Sequence, residues 1–143
     1  METLDYKDSV NRASKSTGRG ESEQHLNFKN FIAKHPEILQ LPGGLTGRTE
    51  YPLPSGDSLD VFFEHKDEWI GVEVKSQLSP ASDIIRGIFQ CIKYRAVIEA
   101  CQVSQELPKN ARAVLVLESA LLEELVPLKN ILGVEVLDNV KPK

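Results

Sequence analysis

Residues 60–76, DVFFEHKDEWIGVEVKS, set two carboxylates and a lysine, Asp60, Glu73 and Lys75, among apolar residues that alternate along two short runs. Side chains of a strand point to opposite faces in turn, so Val61 and Phe63 share one face while Asp60, Phe62 and Glu64 share the other. On the second run Ile70, Val72 and Val74 face one way, and Trp69, Gly71, Glu73 and Lys75 the other. The apolar faces of a hairpin coincide only where paired residue numbers add to an odd total, since a slip by one residue would put Val61 opposite Glu73. A turn centred on Lys66-Asp67, counted as a loop of two or four residues, pairs Val61 with Val72, Phe63 with Ile70 and Asp60 with Glu73.

Directly opposed side chains start about 4.5–5.5 Å apart, and like charges there destabilise a sheet unless something compensates. A divalent cation compensates. Mg²⁺ takes carboxylate oxygens at about 2.0–2.1 Å, retains waters and leaves a position for a phosphate. Lys75, two residues beyond Glu73, points to the same face, where an ammonium can position or deprotonate an attacking water and offset charge developing on phosphorus. Two acids, a cation and a lysine together suit phosphodiester hydrolysis. The same spacing also fits a plainer arrangement, in which the three residues are the wet face of a half-exposed hairpin with Lys75 as a surface counter-ion. Glu-x-Lys is too short a motif to choose between the two, and a wider context has to decide.

The flanking elements supply that context. From about Ser22 the pattern is helical, with Leu26, Phe28, Phe31 and Ile32 at three and four spacing and His35-Pro36 as a break, which predicts a helix over 21–34. LPGGLTGR is turn material, and TEYPLP offers only a short or edge strand because its prolines lack the ladder donor. Residues 58–65 and 69–76 form the hairpin. Pro80 or Ser82-Asp83 then opens a helix to about 102, with Ile84, Ile85, Ile88, Cys91, Ile92, Ala96 and Val97 as its apolar stripe. ARAVLVLE reads as a strand covered on both faces, SALLEELVPLKN as a short helix and LGVEVLD as a last strand. This order implies an α/β domain with a central mixed sheet, antiparallel through the hairpin and parallel through the helical crossover.

Composition bounds the remaining choices. The chain of 143 residues fits one domain over 20–143, preceded by a flexible polar arm over 1–19. No apolar run approaches the roughly 18 residues of a membrane span and no signal-peptide core opens the chain, so a cytoplasmic protein away from membranes is expected. Cys91 and Cys101 lie roughly 15 Å apart along one helix and cannot bridge; buried thiols are expected. The formal net charge of -4 argues mildly against an obligate nucleic-acid binder, whose affinity comes mainly from neutralising phosphates. Residues 75–95 nevertheless hold Lys75, Arg86, Lys93 and Arg95 against Asp83 alone. His25, His35 and His65 show no metal-ligand spacing and read as surface residues. Gly43-Gly44 is a turn without a Walker-type lysine after it.

Asp60, then Glu73-Val74-Lys75 on the next strand, then Gln90-Cys-Ile-Lys-Tyr94 on the following helix, together resemble the PD-(D/E)XK nuclease superfamily, with the Gln-x-x-x-Tyr helix of its RecB-type members. Leu59 stands where the superfamily often has proline. The resemblance covers about residues 21–117. It implies a restriction-endonuclease-like αβββαβ core in which Asp60, Glu73 and the main-chain carbonyl of Val74 hold Mg²⁺ or Mn²⁺. Lys75 would orient or activate water, Glu23 on the first helix (with Glu21 as second choice) would contact the metal directly or through water, and Gln90 and Tyr94 would reach the same spot from one helix face. Arg86 and Lys93 read as phosphate contacts or ordinary surface residues. The implied activity is metal-dependent hydrolysis of DNA, as an endonuclease of repair, recombination or restriction. The competing expectation is a non-catalytic nucleic-acid- or protein-binding module that keeps the fold. A core this short has little surface for sequence readout, so a homodimer or partner subunit is expected to supply specificity.

Overall fold

A computed structural model describes residues 21–142. The polar arm expected over 1–19 lies outside the described residues. Five strands form one sheet in the order β1 (Arg48–Pro52), β2 (Ser58–His65), β3 (Glu68–Lys75), β4 (Ala111–Leu117) and β5 (Glu135–Leu137). The first three run antiparallel, and β3, β4 and β5 run parallel. This is the mixed α/β sheet expected, and the helix, three strands, helix and strand order over residues 21–117 is present.

Parallel β3 and β4 need a crossover, which α2 (Ala81–Ser104) provides, and α3 (Val126–Leu132) joins β4 to β5. The first helix, α1 (Glu23–Lys34), starts at Ser22, whose hydroxyl accepts from the His25 N–H, and stops before Pro36. Edge strand β1 carries the proline at its last position, as an edge allows. Among the described residues no helix is long and apolar enough to cross a membrane.

The hairpin has the register that apolar parity requires. Val61 pairs with Val72 and Phe63 with Ile70 across a two-residue Lys66-Asp67 loop. Val61, Phe63, Ile70, Val72 and Val74 pack under α1, whereas Phe62 packs under α2 with Ile88, Tyr94 and Ile98. Trp69 lies edge-on to Phe62, with ring centroids 5.9 Å apart, so both aromatics belong to packing on the α2 side. Cys91 is buried as expected and Cys101 half-buried, both as free thiols.

The regular ladder ends one pair short of the expected Asp60–Glu73 rung. Leu59 packs in the layer under α2 and Val61 in the layer under α1. Residues two apart in a regular strand share a face, so β2 turns over at Asp60. On β1 the same rung is disturbed: Thr49 pairs with Val61 and Tyr51 with Leu59, and Glu50 between them has φ 52°. Both strands break their geometry beside the same acid, and the site lies at this break.

Candidate active site

At the break, the Asp60 side chain replaces a missing ladder acceptor: its Oδ2 accepts the Val74 N–H at 2.9 Å. Asp60 and Glu73 are thereby brought within hydrogen-bonding reach of each other by β2 and β3. Glu73 and Lys75 are each only 7% exposed, which rules out the wet-face arrangement. Both point beneath α2. Gly87 makes this approach possible, because a Cβ there would lie 2.9 Å from Leu115 Cδ1 and 3.2 Å from Lys75 Cε. Lys75 Nζ stands 3.6 Å from Glu73 Oε1 and 3.4 Å from Asp83 Oδ2 on the first turn of α2.

Electrostatics divide the two acids. Burial and the adjacent Asp60 carboxylate push the Glu73 carboxyl well above its ordinary range, against the pull of Lys75 and a hydrogen bond from Tyr94. Burial also raises Asp60, but the His25 ring 3.8 Å away and the hydrogen bond from the Val74 amide outweigh it and hold the acid low. The pair therefore favours keeping a proton, on the Glu73 side. Burial together with Glu73 pushes the Tyr94 phenol up, so it stays a neutral donor.

Of the residues expected to act together, the fold gathers Asp60, Glu73, Lys75 and Tyr94. Gln90 lies one turn from Tyr94 on α2, and its Oε1 is a buried side-chain acceptor without a partner among the described residues. Glu23 is exposed. The side chain that α1 sends to the site is instead His25, whose Nε2 is 3.2 Å from the Val74 carbonyl and 3.8 Å from Asp60 Oδ2. Its Nδ1 is 2.8 Å from Glu21 Oε1, so the second-choice acid reaches the site through a ring and not directly. The nearby Asp60 carboxylate, with Glu21, raises the imidazole above its usual range despite burial. The signal for this was present in the sequence as Glu21, His25 and Lys29 at steps of four, one face of a helix.

Arg86 pairs with Asp83, and Lys93 with Asp57 at 2.9 Å. Arg95 pairs with Glu99 at 3.2 Å, and the basic stretch between Lys75 and Arg95 is thus largely neutralised by acids from α2 and the β1–β2 loop. A cleft of about 450 Å³ lies away from the site, on the β4 side of α2, lined by Cys91, Arg95, Arg112 and Glu135 among others.

The charged groups form one connected row: Arg86, Asp83, Lys75, Glu73, Asp60, His25, Glu21, Lys29 and Glu50. Bases and acids alternate throughout except between Glu73 and Asp60. That is where a cation would complete the sequence. Side chains alone form no closed cluster of three His, Cys, Asp or Glu ligands among the described residues. A site here depends on the Val74 carbonyl as a further ligand. The separations from His25 Nε2 to Val74 O and to Asp60 Oδ2 are within 1 Å of the roughly 2.9 Å between neighbouring ligands on an octahedral cation with bonds of about 2.0–2.1 Å. Hard oxygen donors, a proton that a cation can replace and an unmatched Gln90 acceptor all suit a divalent ion that keeps some water.

Neither a protein-family model nor a curated protein matches the chain. Among solved structures, the chain is similar to an XisH family protein from Nostoc punctiforme PCC 73102, at 19% identity and a TM-score of 0.45, over 79% of this chain and 88% of that one.

Proposed function

We propose that the chain is a restriction-endonuclease-like, metal-dependent nuclease that hydrolyses DNA phosphodiester bonds, as an endonuclease of repair, recombination or restriction. The observation that carries this reading is the single break in the row of alternating acids and bases, where half-buried Asp60 adjoins buried Glu73. Two acids in contact inside a fold must either repel or hold a proton between them, and a purely structural hairpin has no use for such a pair.

In this reading Asp60, Glu73 and the Val74 carbonyl hold Mg²⁺ or Mn²⁺. His25 joins them through Nε2, while its Nδ1–H donates to Glu21, the usual arrangement of a ligating histidine. When bound, the metal polarises a phosphodiester oxygen and makes its water a stronger nucleophile at neutral pH. Lys75, fixed between Glu73 and Asp83, places an ammonium beside the attacking water and offsets charge on phosphorus. Tyr94 donates to Glu73 and holds its carboxylate in place. Gln90 Oε1 accepts from a water or from substrate, which gives that buried oxygen its missing partner. Arg86 and Lys93 meet phosphates only by exchanging Asp83 and Asp57 for them.

That neutralised surface favours a second reading, a binding module that keeps the fold without cutting. Incubating the protein with branched, linear duplex and single-stranded DNA, in Mg²⁺, Mn²⁺ or EDTA, separates the two. Cutting that needs metal and is lost in Asp60→Ala and Lys75→Ala supports the nuclease. Metal-dependent cutting that survives both substitutions removes it, and absence of cutting on every substrate favours the binding module.

A further inference from the structure

Lys29 is 1% exposed, yet it carries a charge into the interface between α1 and the sheet. Its ammonium bonds the carboxylates of Glu21 and Glu50. Replacing a buried ion pair by apolar side chains is often neutral or stabilising, so net stability is a weak reason to keep this one. Its geometry offers a stronger reason. Glu21 precedes the helix cap Ser22 and has no helical backbone bond to fix it. The same Glu21 Oε1 accepts from both Lys29 and His25 Nδ1, and His25 Nε2 is the group on the Val74 carbonyl. On its other side Lys29 grips Glu50, the residue at φ 52° on the rung where β1 and β2 break beside Asp60. One ammonium therefore ties together the two features that shape the site from outside, the orientation of the His25 ring and the kink in β1.

We infer that Lys29 is a positioning residue of the candidate metal site, setting the His25 ring through Glu21 and anchoring the β1 break through Glu50. The inference rests on the metal-binding reading of Asp60, Glu73 and Val74. Outer partners of a metal-ligating histidine are worth about 10–100-fold in metal affinity, and Lys29 acts one bond further out, at the lower end of that range.

The test is calorimetric titration of Mn²⁺ into the full chain, together with the ring ¹⁵N–¹H spectrum of His25 in metal-free protein, identified by its loss in His25→Ala. Lys29→Met is expected to weaken Mn²⁺ binding about tenfold and to move the His25 ring signals away from their wild-type positions. A role confined to stability would lower the melting temperature and leave both readouts in place. Glu50→Gly serves as a second variant that keeps the fold, since glycine is at ease at that positive φ; a smaller loss of Mn²⁺ affinity is expected from it. Unchanged Mn²⁺ affinity in both variants overturns the inference. Wild-type protein that binds no Mn²⁺, or Asp60→Asn that binds it equally well, strikes the metal reading itself.

Discussion

Glu73→Gln locks in the uncharged form that the metal-free fold favours. Glu73 is almost wholly buried, touches Asp60, and holds its proton above the ordinary value of 4.5. Glutamine reproduces that protonated form: its amide N–H can donate to Asp60 and its oxygen can accept from Tyr94. The native protein binds a proton that the unfolded chain has released, so wild-type stability falls as pH rises from 4.5 towards the raised native value, by up to about 1.4 kcal/mol for each pH unit. The glutamine variant lacks this slope. Asp60 acts in the opposite sense, adding stability that is complete above its ordinary 3.8, so it contributes nothing to the difference in this window. His25, raised from 6.5, adds stability that is lost as pH rises through its native value, and it does so in both proteins. Urea unfolding in EDTA across about pH 5 to 8 should therefore show the variant gaining on wild type as pH rises. Mn²⁺ at 100 times its dissociation constant should stabilise wild type by about 2.7 kcal/mol and the variant far less. Parallel stability curves, or a variant that keeps the full response to Mn²⁺, would refute the argument that Asp60 and Glu73 hold a proton in place of a cation.

His25→Ala should weaken Mn²⁺ binding by about 10–100-fold in calorimetric titration, while Glu23→Ala leaves it unchanged; the reverse pattern would restore the acid to the first helix. Gly87→Ala gains about 1 kcal/mol of helix propensity, yet its Cβ overpacks Leu115 and Lys75 at a cost of about 1–3 kcal/mol, so urea unfolding should show little change or a modest loss. Cleavage should fall much more than stability, because Lys75 is one of the groups that must give way. Gln90→Leu removes a buried acceptor with no partner and should stabilise the metal-free protein by roughly 1 kcal/mol while slowing cleavage. A destabilised Gln90→Leu would mean that its oxygen already has a partner.

The hairpin was legible because its information is local. Alternation of Val61, Phe63, Ile70, Val72 and Val74 admits one parity, and β2 and β3 obey it up to Val61 and Val72. The long helix was legible for the same reason, since its buried Ile84, Ile88 and Cys91 recur at helical spacing. The break at Asp60 was not legible. It depends on a side chain capturing the Val74 amide and on Glu50 adopting a positive φ across the sheet, and neither leaves a pattern in nearby residues. The spacing of the three histidines does not mark His25 as a site residue. Its partners are a main-chain carbonyl and an acid from distant strands, brought to it only when α1 docks. The helix acid expected at Glu23 belongs to the same gap: which of α1's polar residues faces the site is decided by how Phe28 and Ile32 seat the helix on β2 and β3. The ion pairing of the basic stretch was not legible in full, since Asp57 lies far along the chain yet beside Lys93 in space.

The account stands on a cation between Asp60 and Glu73. The most direct measurement is a crystal structure grown with Mn²⁺, with anomalous scattering to locate the ion. The expected result is one Mn²⁺ ligated by both carboxylates and the Val74 carbonyl, with His25 Nε2 turned onto it and Glu73 deprotonated. A map in which Asp60 and Glu73 remain hydrogen-bonded to each other with no Mn²⁺ between them, at an ion concentration that supports cleavage, would contradict it.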